Sequence, residues 1–134
     1  MDIAGIERSL PNGLHDAILS RYEIDYETRT AKLYLEVWVG DLDSEAHEER
    51  EKYAAAVLML QGLRYWAIEP PSKEISLRSG PYASDTGSVE NANTHMAREL
   101  PAAEVGTFRG YFFLYAIEAF AYFCAEEASI EFTP

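Results

Sequence analysis

Residues 13–39 constrain the fold more than any other stretch. They open with Gly13-Leu14-His15-Asp16-Ala17 and run into two alternating segments. In the first, the even positions Ile18, Ser20, Tyr22, Ile24 and Tyr26 are mostly apolar, while Arg21, Glu23, Asp25 and Glu27 are charged. After Thr28-Arg29-Thr30 the phase flips: Leu33, Leu35, Val37 and Val39 are apolar, Lys32 and Glu36 polar. Successive side chains of a strand point to opposite faces, so each segment has one apolar and one wet face. The turn-like residues between them predict an antiparallel hairpin.

Residues 1–12 read as a loose lead-in ending in the turn signal Pro11-Asn12-Gly13. The second hairpin strand stops at Gly40, and residues 41–51 form an acidic connection with a helical turn. Ala54 to Leu60 is apolar at both parities, which suits a central strand covered on both faces, although its alanines also permit a helix. Gly62 marks a bulge or bend, Leu63 to Ile68 continue the strand, and Pro70-Pro71 end it, since neither proline can donate to a ladder. Lys73 to Ser79 alternates again, with Ile75 and Leu77 facing in. From Gly80 to Gly106 the chain is rich in Gly, Pro, Ser, Asn and Thr, which predicts a long loop suited to a lid or a partner-facing segment. A short helix is expected within it at Asn93–Leu100, capped by Asn93 and followed by Pro101. Aromatic residues crowd the last third. They predict strands near 107–116, 119–125 and 128–133, with turns at Ile117-Glu118 and Glu126-Glu127. A single helix over 111–127 is the competing reading, because Ala116, Ala119, Ala121 and Ala125 are strong helix formers.

The fold expected is α+β and mainly antiparallel. Six or seven strands form a curved sheet, sandwich or partly open barrel, with one or two short helices in the 41–53 and 91–100 segments.

At 134 residues the chain fits a single domain, 1–134. That is long enough to bury roughly 65–70% of its unfolded surface without disulfides. Cys124 is the one cysteine, which excludes an intramolecular disulfide or a cysteine-based zinc site and fits a reducing compartment. The amino terminus lacks a basic region followed by an apolar core, and the most apolar run, Tyr111 to Ala125, is shorter than the ~20 residues that span a bilayer. A cytoplasmic, soluble protein is expected. The formal net charge is −12: acids and bases number 13 and 7 up to Ala67 and 10 and 4 beyond it, so each half carries −6. An anionic exterior repels nucleic acid and anionic membranes and speeds encounter with a basic partner, though it also serves plain solubility.

The string Gly13-Leu14-His15-Asp16-Ala17 leading into an alternating hairpin resembles a group of small bacterial proteins of unknown function, some grouped with immunity proteins of polymorphic toxin systems. Gly62-Leu63 and Ile68-Glu69-Pro70-Pro71 are similar to some members too. The resemblance implies a β-rich domain and, at most, a partner-binding role; it brings no catalytic residue.

Read as residues, His15 and Asp16 are the obvious polar pair. On a strand they would face opposite ways; in a turn just before it they could touch. A functional His15 needs one ring nitrogen oriented by a carboxylate and the other free for substrate. In the structural alternative, Asp16 accepts amides from the Pro11–Gly13 turn while His15 ties a neighbouring loop. Asp41, Asp43 and Glu45 have the alternate spacing that begins a calcium loop. The template then fails, with Ala46 where glycine is needed and Lys52 where a bidentate glutamate is needed. The same loop holds six acids between Asp41 and Glu51, the densest negative patch, and is the first place to seek a basic partner. His47 and His95 have no second ligand at metal spacing, so no metal or other cofactor is expected. Cys124, among aromatics, reads as a buried and inert thiol. No Gly-x-Ser-x-Gly elbow or phosphate-binding loop is present, and Gly80-Pro81 and Gly87-Ser88 read as turns. Tyr34 and Trp38 place aromatics on an otherwise wet face: they mark a contact surface, or another strand or the 80–106 loop covers them.

Three functions stand open. The first is a non-catalytic, immunity-like binding protein whose acidic surface takes a basic partner, with His15, Asp16, Tyr34, Trp38, Asp41, Asp43 and Glu45 as candidate binding residues and none as catalytic. The second is a small-molecule-binding protein or enzyme with a pocket near His15, Asp16 and the 80–106 loop. The third is a homodimer paired through the Tyr34–Trp38 face or an edge strand. The balance favours a non-enzyme that binds neither nucleic acid nor membrane.

Overall fold

The computed structural model describes residues 1–71, 82–91 and 94–134. The expected hairpin is present: β1 (Ala17–Asp25) pairs antiparallel with β2 (Thr30–Trp38). Its turn is fixed by the Asp25 carboxylate, which accepts the amides of Glu27 (2.9 Å) and Thr28 (3.1 Å), and by the left-handed backbone of Arg29 at φ 56°. Tyr26 lies in this turn at 86% exposure, not on the apolar face where its parity placed it.

The alternation of β1 also breaks. Leu19 pairs with Leu35 and Arg21 with Tyr34, so Ser20 is the extra residue of a β-bulge. Inward positions are therefore odd before Ser20 and even after it. Ala17 and Leu19 are buried, whereas Ile18, expected to face in, is only half-buried. Beyond the bulge Ile24 packs against the core, opposite Ala31. On β2 the expected phase holds, with Ala31, Leu33, Leu35 and Val37 buried.

After a one-turn helix, α2 (His47–Arg50), come β3 (Tyr53–Gln61) and β4 (Tyr65–Ile68). β3 is a central strand between β2 and its partner on the other side, but only its even positions Ala56, Leu58 and Leu60 are buried, so it is covered on one face rather than two. Gly62, at φ +62°, is the bend between β3 and β4. Lys73–Ser79 and the Gly80-Pro81 turn fall outside the described residues.

The 80–106 segment departs most from expectation. Tyr82–Ser88 form a strand, β5, instead of loop, and Gly87-Ser88 lie in it rather than in a turn. A 3-10 turn (Val89–Asn91) and a short helix, α3 (His95–Glu99), follow. The described cap of α3 is Thr94, whose hydroxyl accepts the Ala97 amide at 3.1 Å; the expected cap, Asn93, lies outside the described residues. The last third is strand, not helix: β6 (Phe108–Leu114), β7 (Ala119–Ala125) and β8 (Glu127–Phe132), with a 3-10 turn (Tyr115–Ile117) before β7. The lead-in is ordered as well. Ile3–Ser9 form a helix, α1, whose Asp2 carboxylate caps the Gly5 amide at 2.8 Å.

Among the described residues eight strands lie in one open antiparallel sheet, ordered β4-β7-β6-β5-β1-β2-β3-β8, one or two strands more than expected. Its edge strands are continuations of inner ones. β3 and β4 form one bent ribbon, β7 and β8 another, and the two pair throughout: Gln61 faces Glu127 before the bend and Tyr65 faces Cys124 after it. The bonds Glu126 N–H to Gln61 O (2.9 Å) and Arg64 N–H to Cys124 O (2.7 Å) carry the ladder around the corner. This bent pair reaches both ends of the sheet and gives it its curvature.

The main core fills the concave side. Leu19, Leu33, Leu35, Leu58 and Leu60 meet Phe112, Leu114 and Phe123 there, and Ile3, Ile6, Leu10 and Leu14 of the α1 region close it. A second, smaller core lies on the outer face, where Met96, Ala97 and Leu100 of the α3 region pack on Tyr111, Phe120 and Tyr122. Cys124 is buried and free. Among the described residues no helix is long and apolar enough to cross a membrane.

Candidate functional site

Leu14 is fully buried, and the chain around it turns tightly: the Ala17 amide donates to Leu14 O at 3.2 Å. Burying Leu14 turns its neighbour His15 outward. Asp16 then adopts a left-handed backbone, φ 56°, which aspartate tolerates better than most residues. His15 and Asp16 are thus in a turn where both side chains meet, with His15 Nε2 3.3 Å from Asp16 Oδ2.

The strand expected to be loop supplies the third member. β5 pairs with β1 through Ala17 and Ser84, and the Ser84 hydroxyl donates to Ala17 O at 2.8 Å. That register carries Asp85 alongside the His15–Asp16 turn. His15 Nδ1 lies 3.2 Å from Asp85 Oδ1, and the Tyr115 hydroxyl donates to Asp85 Oδ2 at 2.9 Å. The hydrogen bond to Asp85 raises the His15 pKa above the ordinary imidazole value, with Asp16 and Glu7 adding to it. The bond to Asp85 likewise raises the Tyr115 phenol. Glu7 of α1 borders the group, its pKa raised by burial.

Aromatic rings continue the site across the sheet. Asp85 faces Phe113 on β6, and Phe113 faces Phe120 on β7. Phe113 and Phe120 have ring centroids 4.7 Å apart, Phe113 and Tyr115 5.0 Å, Tyr111 and Phe120 5.5 Å. Asp85, Tyr111, Phe113, Tyr115 and Phe120 line an open cleft of about 270 Å³. Tyr115 is 44% and the Asp85 side chain 38% exposed.

The other residues expected in the site are scattered. Trp38 is at its margin, with its ring centroid 6.4 Å from that of His15. Its indole N–H donates to Arg50 O at 2.6 Å, so the 41–51 connection packs against Trp38. Tyr34 belongs to a separate patch: Arg21 stacks over its ring at 4.1 Å and its hydroxyl donates to Glu23 at 3.3 Å. Asp41, Asp43 and Glu45 are exposed on the connection, where Asp41 Oδ1 accepts the Asp43 amide at 2.9 Å. Among the described residues no three His, Cys, Asp or Glu side chains are grouped as metal ligands.

Asp85, Tyr115 and the cleft rings are the members that sequence reasoning missed. A signal did exist in β6, where Tyr111 and Phe113 are aromatic on one parity and Phe112 and Leu114 apolar on the other. A strand apolar at both parities must bury or use both faces.

Chemically, His15 Nδ1 is bonded to Asp85, while Nε2 lies 3.3 Å from the exposed Asp16 carboxylate as an ion pair. The group is an anionic patch beside half-buried aromatic rings, of which Phe120 has one face stacked on Tyr122, and such a combination attracts cations. No family model, no curated protein and no solved structure matches this chain.

Proposed function

We propose that this chain is a non-catalytic protein-binding module whose outer face, centred on Asp85, takes a basic partner. The observation that carries the reading is the Asp85 carboxylate, held between His15 and Tyr115 at the edge of a solvent-open aromatic cleft. Aromatic side chains dominate interface energetics, and a carboxylate among them selects for positive charge. The net charge of −12 steers such a partner from a distance. The 41–51 acids extend the same field, and Asp41 and Asp43 line a separate open cleft of about 450 Å³ with Pro11, Asn12, Val39, Gly40 and Leu42, which holds no aromatic ring. An immunity protein that neutralises a basic toxin is one member of this class, supported by the resemblance of residues 13–17. Self-association through Tyr34 and Trp38 has less in its favour, because the Trp38 indole is already bonded to Arg50.

Affinity capture from the native host tests the reading. Wild type and Asp85→Asn are compared at low and at high salt. A basic protein retained by wild type, released by salt and lost with Asp85→Asn is expected; retention indifferent to both would overturn it. Capture of a small cationic metabolite and no protein would favour the small-molecule alternative.

A further inference from the structure

We propose that the cleft between Asp85 and Phe120 is a receptor for a single guanidinium group, the side chain of an arginine on the partner. This rests on the protein-binding reading above and adds which chemical group the face recognises.

Asp85, Tyr111, Phe113 and Phe120 stand on facing strands, which fixes them relative to one another, and Tyr115 stands on the 3-10 turn after β6, tied in by its bond to Asp85. Asp85, Phe113 and Phe120 form one row across β5, β6 and β7 through successive ladder pairs. Tyr111 and Tyr115 flank that row, and each packs edge-on against a phenylalanine, at 66° to Phe120 and 90° to Phe113 respectively. The faces of such rings are electronegative and draw a cation onto them. The cleft, about 270 Å³ and open to solvent, has room for the end of one long side chain.

Charge and geometry select arginine over lysine. Each Asp85 oxygen already accepts one hydrogen bond, from His15 or from Tyr115, and a carboxylate offers about four lone-pair sites. Each oxygen therefore keeps capacity for one more donor, the number that a bidentate guanidinium supplies. A guanidinium is also planar and weakly hydrated, so it stacks on aromatic faces at low desolvation cost. A lysine ammonium would satisfy the charge but neither the fork nor the stacking. The arginine on β6 is already engaged: Arg109 pairs with Glu90 at 2.9 Å and donates to Pro101 O at 3.2 Å.

Titration of the intact protein with blocked arginine, blocked lysine and blocked citrulline, followed by aromatic and amide NMR, tests the assignment. Blocked arginine is expected to shift Tyr111, Phe113, Tyr115, Phe120 and Asp85 saturably at millimolar concentration. Lysine should bind several-fold more weakly, and citrulline, which keeps the shape but not the charge, should leave the cleft unmoved. Asp85→Asn, checked as folded by its amide spectrum, should weaken arginine by roughly tenfold or more. Equal response to citrulline or lysine, no response in the cleft, or an unchanged affinity in Asp85→Asn would overturn the proposal. Capture of a salt-sensitive protein partner alongside such a failure would sink the guanidinium receptor alone and leave the binding function standing.

Discussion

At His15 one imidazole faces three carboxylates: Asp16 beside it, Asp85 on β5 and Glu7 on α1. Because its pKa is raised on folding, protonated His15 stabilises the native state. That contribution is full below the ordinary value of 6.5 and disappears as pH rises through the raised one. His15→Gln should therefore lose stability relative to wild type chiefly below pH 6.5, the difference closing at higher pH. The side chain is 57% exposed, so the gap should be small and shrink with salt. Denaturant midpoints across pH check this, and a gap that widens with rising pH would contradict it. For the proposed arginine receptor the same proton should act in the opposite sense. An imidazolium competes with an incoming cation for Asp85, so blocked arginine should bind more tightly as His15 deprotonates, and His15→Gln should flatten that dependence. The pairing of His15 with Asp16 could be read from the sequence once a turn was allowed there. Asp85 could not, because nothing local links it to position 15; only the β1–β5 register does.

The elements differ in how openly their residues announced them. The hairpin, the bend at Gly62 and the three closing strands followed from alternation, turn residues and aromatic composition. β5 did not, because Tyr-Ala-Ser-Asp-Thr-Gly-Ser has the composition of a loop and is held as strand by neighbours on both sides. The bulge at Ser20 was hidden for a related reason: small and polar, it suits either face, so the parity shift left no mark. Two truncations separate the readings. Leu19→Ala should cost about 3 kcal/mol and Ile18→Ala about 1 kcal/mol in denaturant unfolding; the reverse order would restore the unbroken alternation. The 41–51 connection depends on Gly40, where an added Cβ would lie 1.9 Å from Arg50 O and 2.7 Å from the Trp38 indole nitrogen. Because the obstacle is backbone, Gly40→Ala should cost about 2 kcal/mol or more, and the Trp38 indole N–H should lose its protection from exchange.

On the scale of the whole molecule, one sheet supports two cores of unequal size among the described residues, and the Asp85 cleft lies beside the smaller. The Tyr122 hydroxyl, 2.5 Å from that of Thr94, joins α3 to the outer face. Tyr122→Phe should lower stability by about 1 kcal/mol and loosen α3 in hydrogen exchange before the main sheet responds. The anionic exterior was plain from composition, but which part of it recognises anything was not. Charge density pointed to the 41–51 acids, whereas the folded chain sets aromatic rings around a different carboxylate. The decisive comparison is the dissociation constant of the captured basic partner for Asp85→Asn against the triple variant Asp41→Asn/Asp43→Asn/Glu45→Gln. Asp85→Asn is expected to weaken binding by roughly tenfold or more, and the triple variant chiefly to slow association. A triple variant that abolishes binding while Asp85→Asn matches wild type would contradict the assignment of the outer face.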